Sequence, residues 1–114
     1  MSDESEISIF RALDYLRDNA PAYAKAKADR VYLEEWRKSK KALLMRDAEL
    51  KGHTTSAAQE REAYAHPDYM EVLVGLKTAV EQEEKLRWLI VAAQARIECW
   101  RSIEASRRYE AKTL

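Results

Sequence analysis

Residues 67–111, PDYMEVLVGLKTAVEQEEKLRWLIVAAQARIECWRSIEASRRYEA, decide the fold. Tyr69, Leu73, Leu76, Val80, Leu86, Ile90, Ala93, Ile97 and Trp100 recur at steps of three and four, and Glu83 stands in the same row. That period marks one face of an α-helix rather than a strand. Pro67 suits the first turn, and Gly75 costs about 1 kcal/mol relative to alanine inside a helix, so nothing in the run forbids it. Asp68 with Glu71 offers a capping pair at its start. A helix of about 45 residues measures about 67 Å at 1.5 Å per residue. A compact globule of this chain length is roughly 35 Å across. The helix therefore overshoots a globule of its own chain about twofold. From Leu86 onward its apolar surface widens to include Trp88, Leu89, Val91, Ala92 and Cys99. We read Leu86, Trp88, Leu89, Ile90, Ile97 and Trp100 as packing against other subunits of a homo-oligomer.

Working back toward the N-terminus, His66-Pro67 ends a short helix, because a residue before proline avoids the helical region. Ser56 with Gln59 reads as a capping box that opens it. Gly52 is positioned to end the helix before that. That helix carries Leu33, Trp36, Leu43, Leu44 and Leu50 on its apolar side. The alternation Ala20, Ala22, Ala24, Ala26, Ala28 imitates a strand's period of two, but alanine favours helix and disfavours strand. Asn19-Ala20-Pro21 is read as a break. Before it, Asp3 with Glu6 opens a first helix bearing Ile7, Phe10, Leu13 and Leu16. The prediction is an all-α chain of one domain, 1–114, with helices at about 3–18, 21–51, 56–65 and 67–111. The architecture is an elongated helical hairpin or bundle dominated by its C-terminal helix.

The 114 residues carry 20 basic and 20 acidic groups, which excludes strong whole-molecule steering toward nucleic acid. Two glycines and two prolines are too few for the turns of a β-sandwich or barrel. One cysteine excludes an internal disulfide, and with two histidines it excludes a zinc cluster of the usual ligand number. The acidic start MSDESEIS has no apolar core of a signal peptide, so a cytoplasmic protein with no membrane partner is expected.

Neutrality conceals blocks of alternating sign. Residues 1–20 carry a net −3, 25–51 a net +4, 52–84 a net −5 and 85–114 a net +4. Lys27, Arg30, Arg37, Lys38 and Lys41 fall at offsets 0, 3, 10, 11 and 14, along one helix face. Cations at that pitch can follow a phosphate backbone. Arg101, Arg107, Arg108 and Lys112 form a second cluster beside Trp100 and Tyr109, and aromatics next to arginine suit base stacking. A solvated face, or helix-to-helix charge pairing, would produce the same runs. Trp36 and Trp100 fit a packing role as well as a stacking one.

Catalytic arrangements are missing from the pattern. His53 and His66 match neither a metal-ligand nor a triad spacing. Cys99 lies on an apolar face, where a thiol acts as a small hydrophobe. Glu81, Glu83 and Glu84 have no glycine-rich phosphate loop beside them. No enzyme activity, cofactor or metal is expected.

Trp36 with Lys40 and Lys41, then Ser56-Ala57-Ala58-Gln59-Glu60-Arg61-Glu62-Ala63-Tyr64, then the long helix ending Arg107-Arg108-Tyr109-Glu110-Ala111, resemble the UvsY-type recombination mediators of tailed phages. The resemblance covers roughly residues 32–112. It implies a small helical protein that forms ring-shaped oligomers and binds single-stranded DNA. It also implies help in loading a RecA-like recombinase onto strands covered by a single-strand-binding protein. In that family a Lys-x-Arg pair ahead of an aromatic contributes to strand binding. Arg61 matches the arginine and Tyr64 the aromatic, while Gln59 stands in place of the lysine. The residues expected on nucleic acid are then Lys27, Arg30, Arg37, Lys38, Lys41, Arg61, Tyr64, Arg107 and Arg108. The alternative is a DNA-independent helical adaptor, acting in virion assembly or host takeover through protein contacts.

Overall fold

A computed structural model describes the backbone of residues 2–113 and the side chains of residues 9–113. Three helices account for nearly all of it: α1, Ser2–Leu50; α2, Ser56–Ala65; and α3, Pro67–Thr113. No strand occurs among the described residues. The chain is all-α, and the long C-terminal helix is present, as the period of three and four predicts. The expected capping pair Asp3–Glu6, and Ile7, fall among side chains outside the described residues.

The expected break at Pro21 is not there. α1 runs through Pro21 as one helix of 49 residues. Interior proline costs about 3 kcal/mol, because it removes an N–H donor and its ring crowds the preceding turn. In the turn that precedes the proline, the Asn19 side-chain amide donates to the Tyr15 carbonyl at 3.0 Å, which ties that side chain to the helix rather than replacing the bond lost at the Arg17 carbonyl. Ala20, Ala22 and Ala24 add the strongest helix propensity on either side.

The end of α1 follows its glycine. Gly52 takes φ +103°, a backbone conformation that side chains oppose. The Gly52 N–H donates to the Glu49 carbonyl and the His53 N–H to the Ala48 carbonyl, both at 3.1 Å. That pair of bonds is a Schellman motif with Gly52 at C′. The cap of α2 is Thr55 rather than Ser56: its hydroxyl accepts from the Ala58 N–H at 3.1 Å. Three residues after Thr55 stands alanine, which cannot return the bond, so no capping box forms. Gln59 instead donates its side-chain amide to the His53 carbonyl at 2.9 Å. α2 stops where His66 turns extended before Pro67. His66 then caps α3, its Nδ1 accepting the Asp68 N–H at 3.0 Å, which displaces the expected Asp68–Glu71 pair. Asp68 faces Lys40 at 3.6 Å instead.

The chain divides into two compact units. One is Lys25–Glu83; the other joins the chain up to Ala24 with the chain from Glu84 on. In Lys25–Glu83, α1 and α3 pair in opposite directions and α2 packs across them. Leu44, Ala63 and Tyr69 form the centre, with Met45 and Leu73 against it. Ala63 has no exposed surface, and its small side chain lets α2 approach closely. The Tyr64 and Tyr69 rings meet edge-on, 5.3 Å between centroids. In the other unit, Ile9 and Ala12 of α1 and Leu86 and Ala93 of α3 are buried. Alanine supplies five of the nine buried apolar side chains among the described residues, and many large apolar side chains remain outside, Phe10, Tyr32, Val74 and Trp88 among them.

Candidate nucleic-acid interface and the open helix faces

At 100° per residue, the row Lys27, Arg30, Arg37, Lys38, Lys41 occupies one sector of α1. The buried positions Ala26 and Leu44 fall at the edge of the same sector and Ala48 within it. The cationic row is therefore the flank of the packed face, and several of its members are drawn inward. Arg30 binds both Glu83 and Glu34: its Nη2 donates to Glu83 Oε1 at 3.2 Å and its Nη1 to Glu34 Oε1 at 3.0 Å, while its Nε also meets Glu83. These bonds, led by the one to Glu83, raise the Arg30 pKa further above its ordinary value. Arg37 is half-buried and, among the described residues, has no ion pair. Lys38 is exposed and reaches Glu35 at 3.2 Å. Lys27 is exposed with no ion pair among the described residues.

Lys41 joins α1 to α2. Its Nζ donates to Glu60 Oε1 at 2.6 Å and sits 4.6 Å from the centre of the Tyr64 ring. The hydrogen bond to Glu60, then that to Tyr64, raises the Lys41 pKa, and the same bond to Lys41 lowers that of Glu60. Tyr64 keeps 45% of its surface exposed. Arg61, one turn earlier on α2, is exposed and has no ion pair among the described residues. Lys41 thus ties α1 to an α2 that carries an accessible aromatic and an unpaired arginine, and Arg37 and Lys38 stand within one turn of Lys41 on α1.

Arg107 and Arg108 belong to the other unit. Arg107 binds Glu104 at 2.9 Å, and Arg108 is exposed without an ion pair among the described residues. Of the residues expected at a subunit interface, Leu86 is buried within its own chain, and Ile90, Ile97 and Trp100 are half-buried there. Trp88 and Leu89 remain exposed, with Arg87 stacked over the Trp88 ring at 4.5 Å.

The three clustered glutamates diverge. Glu83 turns inward to Arg30, Glu84 binds Arg87 at 2.8 Å, and Glu81 is exposed. No group of three or more His, Cys, Asp or Glu side chains among the described residues could hold a metal ion. No helix among them is long and apolar enough to cross a membrane.

Sequence reasoning missed an open groove in the Lys25–Glu83 unit. Two contiguous hollows of about 400 and 410 Å3 share Leu33 and Gly75 as lining. Ala26, Leu33 and Trp36 form one wall, and Val72, Gly75 and Ala79 the other. The available signal was a second row on the long helix, Asp68, Val72, Gly75, Ala79 and Gln82, again at steps of three and four.

No protein-family profile, curated protein or solved structure matches the chain.

Proposed function

We propose that this chain is a self-associating helical protein that binds single-stranded DNA without base preference and assists loading of a RecA-like recombinase onto strands held by a single-strand-binding protein. The observation that carries the reading is the Lys41–Tyr64 contact at 4.6 Å. It sets Lys41, one turn from Arg37 and Lys38 on α1, against an exposed aromatic that stands one turn from Arg61 on α2. Arg37 and Arg61 are free to neutralise phosphates, and Lys27 extends the row along α1. Tyr64, with 45% of its surface exposed, offers an aromatic contact that tolerates any base. Lys41 acts chiefly by holding Tyr64 and α2 in position, since its charge already serves Glu60. One such patch is small, and repetition across an assembly multiplies it through effective concentration. The resemblance to UvsY-type mediators points the same way. The double variant Arg37→Glu/Arg61→Glu, both residues lacking ion pairs, tests the reading: it should keep its helicity and lose an oligonucleotide that the unaltered chain binds at low salt. A variant that binds as tightly as the parent contradicts it.

The adaptor reading draws on a different observation. Trp88, Leu89, Tyr32 and Val74 are exposed, while Arg30 and Lys41 are engaged within the chain. An adaptor would keep its protein partner after the same charge reversal.

A further inference from the structure

We propose that the groove of the Lys25–Glu83 unit is a socket for the second half of α3 from another copy of this chain, an inference that rests on the self-association in the reading above. α3 carries apolar residues on two nearly opposite faces of its second half. The inner row Leu86, Ile90, Ala93, Ile97 and Trp100 is buried or half-buried in its own unit. The outer row Trp88, Ala92, Ala95, Cys99 and Ile103 repeats at steps of four, three, four and four, and every member is exposed. At 100° per residue the two rows stand about 140° apart. A helix apolar on both sides is one that is covered on both sides.

Dimensions and charge select the groove as the cover. From Asp68 to Gln82 the groove runs about 21 Å along α3, and the outer row from Trp88 to Ile103 runs about 22 Å. Gly75 lines both hollows, and a Cβ built there meets no atom within 4 Å. A helix lying in the groove can therefore approach the α3 backbone closely. The groove's rim carries Asp29, bound to Lys25, Asp68, bound to Lys40, and Glu71. Glu71 has no ion pair among the described residues. Lys85 and Arg96 flank the outer row and also lack ion pairs there. The unpaired acid Glu71 at the groove and the unpaired cations Lys85 and Arg96 along one edge of the apolar row are complementary, and they lie on different parts of the chain. Copies would join head to tail, each giving one surface and receiving the other.

Two variants test this without disturbing the fold. Gly75→Trp fills the groove where the glycine faces open space, and Ala95→Glu charges the middle of the exposed row. Circular dichroism checks that each is helical, and light scattering reads its mass. Each alone should fall toward the 13.2 kDa single chain. Mixed in equal amounts they should form a pair of chains and nothing larger, because one intact row and one intact groove remain. The proposal is overturned if the unaltered chain is monomeric, if Gly75→Trp keeps the parent mass, or if the mixture stays monomeric. Pairing of outer row with outer row would show itself by the second outcome. Binding of a poly-dT oligonucleotide is read in parallel. A failed pairing with strand binding intact removes the docking mode alone, and correct pairing without strand binding removes the functional reading alone.

Discussion

Glu83, with 6% of its surface exposed, is held by Arg30 across 53 positions of sequence. A carboxylate in an otherwise apolar helix row is tolerated because the guanidinium meets both of its oxygens. Removing the arginine strands a buried charge, whereas removing both partners leaves an apolar seam. Thermal unfolding should therefore rank the variants: Arg30→Met lowers Tm more than the double variant Arg30→Met/Glu83→Leu. Equal losses would contradict this account of the seam.

Gly75→Ala should stabilise the isolated chain by about 0.5–1 kcal/mol, through higher helix propensity and a less mobile unfolded chain. The new methyl group meets nothing within 4 Å. Denaturant unfolding at low protein concentration reads the gain.

Gly52→Ala should act in the opposite direction. At φ +103° the added Cβ is strained, and a loss of about 1–2 kcal/mol is expected. The same denaturant measurement applies, and an unchanged midpoint would mean the turn does not depend on the glycine.

The Lys41–Glu60 pair gives a pH window with a definite sign. Glu60 has its pKa lowered by Lys41, so its contribution is fully present above the ordinary glutamate range and is lost as pH falls through the lowered value. Lys41 has its pKa raised, so its contribution is present below the ordinary lysine range and is lost only as pH rises through the raised value. Docking of α2 should be constant across neutral pH and loosen under strong acid or strong base. The Tyr64 side-chain resonances, followed by NMR, report it. A midpoint near neutrality would contradict the assignment.

Local signals were legible in the residues, and long-range pairings were not. Gly52 and His66-Pro67 mark the ends of α1 and α2 because left-handed φ and pre-proline geometry are properties of one or two residues. Pro21 misleads for the same reason: its local cost is real, but the helix continues around it. The caps at Thr55 and His66 lie one and two residues from the expected Ser56 and Asp68, where several polar side chains compete for the same N–H groups. In the candidate site, the offsets of Lys27 to Lys41 set one sector of a continuous helix. They say nothing about which cations meet acids elsewhere in the chain, and Arg30 and Lys41 meet Glu83 and Glu60. Glu83 was visible as the misfit in an apolar row, which is the one sequence hint of its pairing.

Strand binding is read by titrating a fluorescent poly-dT oligonucleotide and following its anisotropy at two salt concentrations. With about four phosphates neutralised per bound segment, affinity should fall roughly fifty-fold between 50 and 200 mM salt. Absence of binding at 50 mM, or affinity that does not change with salt, would contradict the account.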